Sequence, residues 1–564
     1  MPKFVFGNLS FLALLLGLYS CGPNAPIDIE LNSNCLSEAG GSCAAASNGG
    51  KFTWYLENAP ASQEYMIAVM SLASTDRVSN YIHPIQVTTN LPSSAIPQSE
   101  QEMIAQVKNL KNIDMSVGSW DANIFAPLPN FQTTPQNIGV DEFYIPDPNN
   151  YVTHTPTNTI PYMPSMPESS QLTGRVSQTD IFSRLDGVFQ ILVDMKTFGG
   201  KASQLDANYQ SIFRNLDTCL RRVMPQTMNL IGAPLFRLNG KNAVDVLVGD
   251  IPQVNGRATA GQISQIDRFM TNRGQPLKDS NRTEVLYVQR TTSTDSVSTQ
   301  CSTTAHEYQH LISFDSKVLS RMPPETRFDL DTQRAMAIHP ERLGFDEGYS
   351  SIVEELTEEK QSVSRNIVAF LSNPNSTSFA LEAVYREAAS NFRSRGINTL
   401  FLYSMLKRAG GSLNASDPAT QKFLSSLIRS QETGFDNVAG FFGSNWLEVQ
   451  QYFFTRMVRA LYDSKKISEF IPALEEKPIA GGSIKRGIRI LDRATPPTSV
   501  TLNPPIVHPL QFDAPLVPNA STYNVPAQSV MFFRYIVPEK KKFNARITLA
   551  TGGAPYSIFV IPVR

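Results

Sequence analysis

Apolar residues recur at helical spacing in NYQSIFRNLDTCLRRVMPQTM (208–228). Ile212, Leu216, Leu220 and Val223 form one stripe there and predict an amphipathic helix. The pattern then changes. The turn LNGKN (238–242) leads into AVDVLVGDI (243–251), a run of the buried-strand type, and EVLYVQ (284–289) predicts another strand. Helical spacing returns in TTAHEYQHLISF (303–314), where Leu311, Ile312 and Phe314 continue a buried face and Ser302, Thr303 or Thr304 can cap the start. Further amphipathic segments run to about residue 475. Upstream, EYMIAVMSL (64–72) and YIHPIQVTT (81–89) read as strands bounded by turn residues. Downstream, MFFRYIVP (531–538), ARITLA (545–550) and YSIFVIPV (556–563) alternate like a small antiparallel β domain.

These blocks predict an α+β chain without internal repeats. A β-rich N-terminal region (51–124) is followed by a connection (125–175) too rich in Pro, Asn and Thr to be one helix. A mixed body (176–485) and a C-terminal β region (486–564) complete it.

Composition narrows the partners. The 564 residues carry 49 Lys plus Arg against 50 Asp plus Glu, a net charge of −1, which favours neither nucleic acid nor an anionic surface as main partner. The first residues predict export. MPKFVFGNLSFLALLLGLYSC has a Lys near its start and an apolar run from Phe11 to Leu18, well short of the roughly 20 residues that span a bilayer. Its Leu18-Tyr19-Ser20-Cys21 ending resembles a bacterial lipobox. The expectation is a signal peptide (1–20), an acylated Cys21 that anchors the protein to a bacterial (outer) membrane or cell surface, and a flexible tether (21–50); plain secretion is the alternative. Four cysteines remain, and an oxidising compartment permits Cys35–Cys43 and Cys219–Cys301 as the simplest pairing.

The candidate chemistry lies in the central helix. His306-Glu307-Tyr308-Gln309-His310 is an HExxH pattern. Residues four apart share a helix face, so both imidazoles can reach one Zn2+ ion while Glu307 contacts the attacking water. A catalytic zinc needs a third protein ligand and an open position. Downstream, GFDEGYSSIVEEL (344–356) offers Glu347 and the pair Glu354–Glu355, and His339 precedes them. His339 stands before Pro340 in an irregular stretch, a poor place to hold a ligand rigidly. A glutamate before glycine, opening an amphipathic helix, is similar to the third-ligand pattern of gluzincin metallopeptidases and points to Glu347. Glu354, two turns on, is either a carboxylate that orients a ligand histidine or a solvated charge.

Together these segments resemble the hyicolysin-like family of bacterial secreted neutral zinc metallopeptidases. NGKNAVDVLVGDI (239–251), SNRTEVLYV (280–288), TTAHEYQHLISF, FDEGYSSIVEEL (345–356) and GINTLFLYSMLKRAGG (396–411) occur in the family's order. The resemblance covers roughly residues 205–475. It implies a gluzincin-type catalytic domain over 176–485, flanked by the two β regions, with zinc on His306, His310 and Glu347 and with Glu307 as general base. Three departures stand out. Asp346 replaces a more usual Asn, 36 residues separate His310 from Glu347, and Arg395-Gly396 stands where family members often have Tyr-Gly. If that Tyr stabilises the substrate's carbonyl oxygen in the family, the role falls here to Arg395, Tyr349 or Tyr403, or no such donor exists. The expected activity is an exported zinc endopeptidase acting on proteins or peptides. Its rival is a surface lipoprotein that keeps the peptidase fold as a binding module without turnover.

Overall fold

The computed structural model describes residues 174–238, 243–251, 260–277, 280–336, 338, 340–357, 364–372, 374, 377–380, 388–479 and 482–486. It also describes segments at 29–31, 42–48, 51–56, 63–72, 80–88, 142–146, 489–490, 506–507, 523–525, 528–536, 545–551 and 555–563. The signal, Cys21, Cys35, His339 and most of the Pro-rich connection lie outside these residues. Among the described residues no helix is long and apolar enough to cross a membrane.

The chain is mixed α+β. Strands β1 (Ile29–Leu31), β2 (Cys43–Asn48), β3 (Lys51–Leu56), β4 (Glu64–Ser71) and β5 (Asn80–Thr88) come first. A central six-stranded sheet follows, built from β6 (Glu142–Pro146), β7 (Gly174–Leu185), β8 (Phe189–Asp194), β9 (Val244–Gly249), β10 (Gly261–Ile263) and β11 (Val285–Gln289). Its order is β10-β11-β9-β8-β7-β6. The middle strands β8, β9 and β11 are parallel, and β10 pairs antiparallel to β11 at the edge. All six residues of β8 and of β9 are buried, including the polar Gln190, Asp194 and Asp245, as expected of strands covered on both faces. β6 falls inside the connection that the sequence left extended, and pairs antiparallel with β7.

The terminal β regions do not form separate sheets. Strands β12 (Thr377–Ser378), β13 (Tyr523–Val525), β14 (Ser529–Ile536), β15 (Ala545–Thr551) and β16 (Pro555–Pro562) join the N-terminal ones in two five-stranded sheets, β1-β3-β15-β5-β13 and β12-β14-β4-β16-β2. β4 lies between β14 and β16 with every residue buried. The physical reason is edge pairing: a fully buried strand such as β4 needs a neighbour on each side to satisfy its backbone, and the C-terminal strands β14 and β16 supply both.

Eight helices matter for the site and its support: α1 (Ala207–Ile231), α2 (Val297–Lys317), α3 (Leu343–Thr357), α4 (Ser364–Ser372), α5 (Ala388–Arg408), α6 (Pro418–Arg429), α7 (Gly434–Phe441) and α8 (Trp446–Tyr462). The stripe Ile212, Leu216, Leu220 and Val223 on α1 is buried, as its spacing predicts. α2 packs on α1, α3 and the β10–β11 edge. It starts earlier than expected, at Val297, so Ser302, Thr303 and Thr304 are interior rather than capping. The Ser302 and Thr304 hydroxyls donate back to the carbonyls of Thr299 and Gln300 instead. The longer helix carries Cys301 to Cys219 of α1, and the disulfide spans 82 positions of sequence. By the chain-entropy argument such a loop is worth roughly 4 kcal/mol. Cys43 is also disulfide-bonded.

The core runs without a break from these helices into the second terminal sheet. Phe454 of α8 meets Phe559 of β16 at 5.0 Å between ring centroids. Beside it, Thr455 donates to Ser42 (2.8 Å) and Ser557 to Gln450 (3.0 Å).

The other end of α2 is held by buried charge. Arg268 donates to Glu284 at the start of β11 (2.7 Å) and to Asp315 on α2 (2.7 Å), with all three side chains 1% exposed or less. The backbone amides of Leu235 and Leu238 donate to the same two carboxylates. Two residues on, Lys317 lies 3.1 Å from buried Glu341 and donates to the carbonyls of Leu427, Ser430 and Glu432.

Candidate metal centre

His306 and His310 lie one turn apart on α2, their ring centroids 4.9 Å apart. Facing them is α3, where Glu347, Ser350 and Glu354 occupy one face at i, i+3 and i+7. Gly348 allows the close crossing of α3 and α5, because a Cβ there would stand 2.8 Å from Leu402 Cδ1 and 3.3 Å from the backbone of Asn398. That explains the glutamate-glycine pair in physical terms. Glycine at the second position lets α5 press against α3 and hold Glu347 toward α2.

Donor atoms of His306, His310 and Glu347 all lie within 4.8 Å of one another. Glu347 Oε2 is 3.1 Å from His306 Nε2 and 4.0 Å from His310 Nε2. The opposite nitrogens are engaged by carboxylates. Glu354 Oε2 is 3.4 Å from His306 Nδ1, and Asp346 Oδ2 is 2.8 Å from His310 Nδ1. Carboxylates at both Nδ1 atoms favour keeping a proton there, so Nε2 is the nitrogen each imidazole can offer a cation once deprotonated; His306 Nε2 also lies 3.2 Å from Ser350 Oγ. Gln309 Nε2 donates to the other Asp346 oxygen at 3.1 Å, a further tie between α2 and α3.

The electrostatics follow from burial and close charge. Burial alone would lower the His306 pKa, but Glu347 and Glu354 outweigh it and push it up to about 10. His310 is raised in the same way, burial being outweighed by Asp346. Burial opposes charge on Glu347 too, yet Arg395 and the imidazoles hold its carboxyl far below the usual carboxylate range. Glu307, 7% exposed, is pushed up, chiefly by burial.

Across neutral pH His306 is therefore protonated before a metal arrives and must lose that proton to ligate. A divalent cation held by these imidazoles would displace protons from them, and its apparent affinity would rise with pH. Calorimetry in buffers of different ionisation enthalpy reads the proton directly, and pH-independent affinity would contradict this account.

The chain matches no protein-family profile. No curated protein matches it either.

Of the three residues weighed for the carbonyl oxygen, one reaches the site. Arg395 of α5 donates through Nη1 to Glu347 Oε2. Tyr349 and Tyr403 are 0% and 1% exposed and belong to the hydrophobic core, with the Tyr349 hydroxyl 3.5 Å from Asn437. Glu354 faces His306, so it is no solvated charge. Sequence reasoning missed the contact of Asp346 with His310, although its place beside Glu347 was the available signal. It also missed the pairing of Arg268 with Glu284 and Asp315, for which local spacing offers no signal.

Replacing Asp346 or Glu354 with Ala should weaken zinc binding by about 10–100-fold without unfolding the protein. Chelator competition measures the affinity and circular dichroism checks the fold. Wild-type affinity in both variants would leave the two carboxylates without the orienting role.

Proposed function

We propose that this chain is a zinc-dependent endopeptidase with a gluzincin-type site, related to the hyicolysin-like family. The observation that carries the reading is the donor set: two imidazole Nε2 atoms and one carboxylate converge, while two other carboxylates take the outer imidazole nitrogens. Two nitrogens, one carboxylate and a fourth position left to water or substrate match catalytic rather than structural zinc.

His306, His310 and Glu347 would hold the ion. Bound zinc supplies Lewis-acid polarisation of the scissile carbonyl and acidifies the attacking water. Glu307 accepts the proton of that water on its carboxylate and returns it to the leaving amide nitrogen, a transfer assisted by the raised proton affinity that burial gives it. The edge strand β10 lies alongside. A Cβ on Gly261 would stand 2.3 Å from Thr303 Cγ2, 3.0 Å from the Tyr287 carbonyl oxygen and 3.1 Å from Glu307 Cγ, so a side chain there would displace Thr303 and crowd Glu307. Gly261→Val should cut turnover by at least tenfold while leaving zinc content unchanged, as peptide assays beside metal analysis would read.

Export through residues 1–20, acylation at Cys21 and action on proteins or peptides outside the cytoplasm belong to the same proposal. Turnover of a mixed peptide library, with and without chelator, tests the activity. Absence of any zinc-dependent cleavage would favour the second reading, a lipoprotein that keeps the fold as a binding module. The specific observation behind that alternative is the Arg395 guanidinium bonded to the third donor.

A further inference from the structure

Arg395 occupies the position where the resembled family often has tyrosine, and its surroundings define a different task from that of a buried structural arginine. Its side chain is 21% exposed. Nε donates to Asn391 one turn back on α5 (2.9 Å), which fixes the plane of the fork. Nη1 donates to Glu347 Oε2, the same oxygen that approaches both Nε2 atoms. Nη2 has no hydrogen-bond partner among the described residues. The cation also acts on Glu307, so it is within electrostatic reach of the third donor and of the base together.

We propose that Arg395 is the cationic donor for the substrate's scissile carbonyl oxygen, and that Glu347 holds the guanidinium in place until a metal takes over that carboxylate. This rests on the endopeptidase reading above. A divalent cation on Glu347 Oε2 would repel the guanidinium bonded to that same oxygen and draw off its electron density, so metal and arginine compete for it and the Arg395 bond loosens. Released from Glu347, the guanidinium remains tethered at Nε and still flanks the donor cluster. Its N–H groups then meet the carbonyl oxygen as that oxygen takes up negative charge. Donors aimed at developing charge in a water-poor site are each worth roughly 10²–10³ in rate. The planar fork suits this role better than a lysine ammonium.

The experiment measures zinc dissociation constants by chelator competition, together with kcat and KM on a fluorogenic peptide drawn from the library screen, for wild type, Arg395→Ala and Arg395→Lys. Arg395→Ala should bind zinc at least as tightly as wild type, since a competing cation is gone, while kcat falls by about 10²–10³ and KM changes less than about threefold. Arg395→Lys should recover part of kcat. The inference is overturned if Arg395→Ala loses zinc affinity by about 10–100-fold, the signature of a residue that merely orients Glu347. It is equally overturned if kcat stays at the wild-type value. Failure of the endopeptidase reading looks different: wild type would not cleave, or Glu307→Gln would cleave as well as wild type. The zinc affinities still decide whether Arg395 competes for Glu347.

Discussion

Glu307→Gln should retain zinc at the wild-type stoichiometry and lower kcat by about 10²–10⁴. Glu307 is on the same helix as two of the proposed ligands but outside the proposed set of His306, His310 and Glu347. Glutamine keeps the volume and one acceptor oxygen of the side chain, so packing against Thr303 and Gly261 is preserved. It cannot take up a proton, and that loss should appear in kcat rather than in KM. The rate should climb with pH as the Glu307 carboxyl ionises, and this acid limb should vanish in the variant. Metal analysis and a pH–rate profile together make the check. Wild-type turnover by Glu307→Gln would remove Glu307 as the base, whatever the metal content.

The largest stability effect is expected at Arg268. Arg268→Ala leaves Glu284 and Asp315 buried with no cationic partner, at 0% side-chain exposure each. Removing one member of a buried charge cluster costs about 3–5 kcal/mol, because the carboxylates left behind lose their counter-charge in a medium that solvates them poorly. Here the cluster also accepts the amides of Leu235 and Leu238, so loosening it frees the segment between α1 and β9 and the C-terminal half of α2. Denaturant titration should show the loss. A triple variant with Arg268→Met, Glu284→Leu and Asp315→Leu should recover part of the stability, since apolar groups have no desolvation to repay. An Arg268→Ala protein as stable as wild type would mean that water or rearrangement satisfies the two acids.

What the chain's order made legible was the local periodicity. The α1 stripe, the buried runs of β9 and β11 and the HExxH helix depend on neighbours a few residues away, and their spacing is written in the sequence. The third donor was legible only through the resemblance, since a glutamate before a glycine is similar to the gluzincin third-ligand pattern while spacing alone left His339, Glu354 and Glu355 open; the fold brings Glu347 to His306 and His310. Ser302, Thr303 and Thr304 misled because hydroxyl residues serve equally well as caps and as back-bonded interior positions. The helix begins at Val297 and places these residues in its interior, with Cys301 among them bonded to Cys219.

The sequence by itself determined that two imidazoles and an adjacent carboxylate share a helix, that glutamates follow on another, and that apolar strands bracket this unit. Only the tertiary structure decided that Asp346 and Glu354 take the outer nitrogens, that Arg395 rather than a tyrosine meets Glu347, and that N- and C-terminal strands share sheets. The reason is range. Periodicity is set by covalent neighbours at fixed rise per residue, whereas pairing of charges and strand edges depends on which distant groups folding brings within a few ångströms, where satisfying a buried polar group outweighs any local preference.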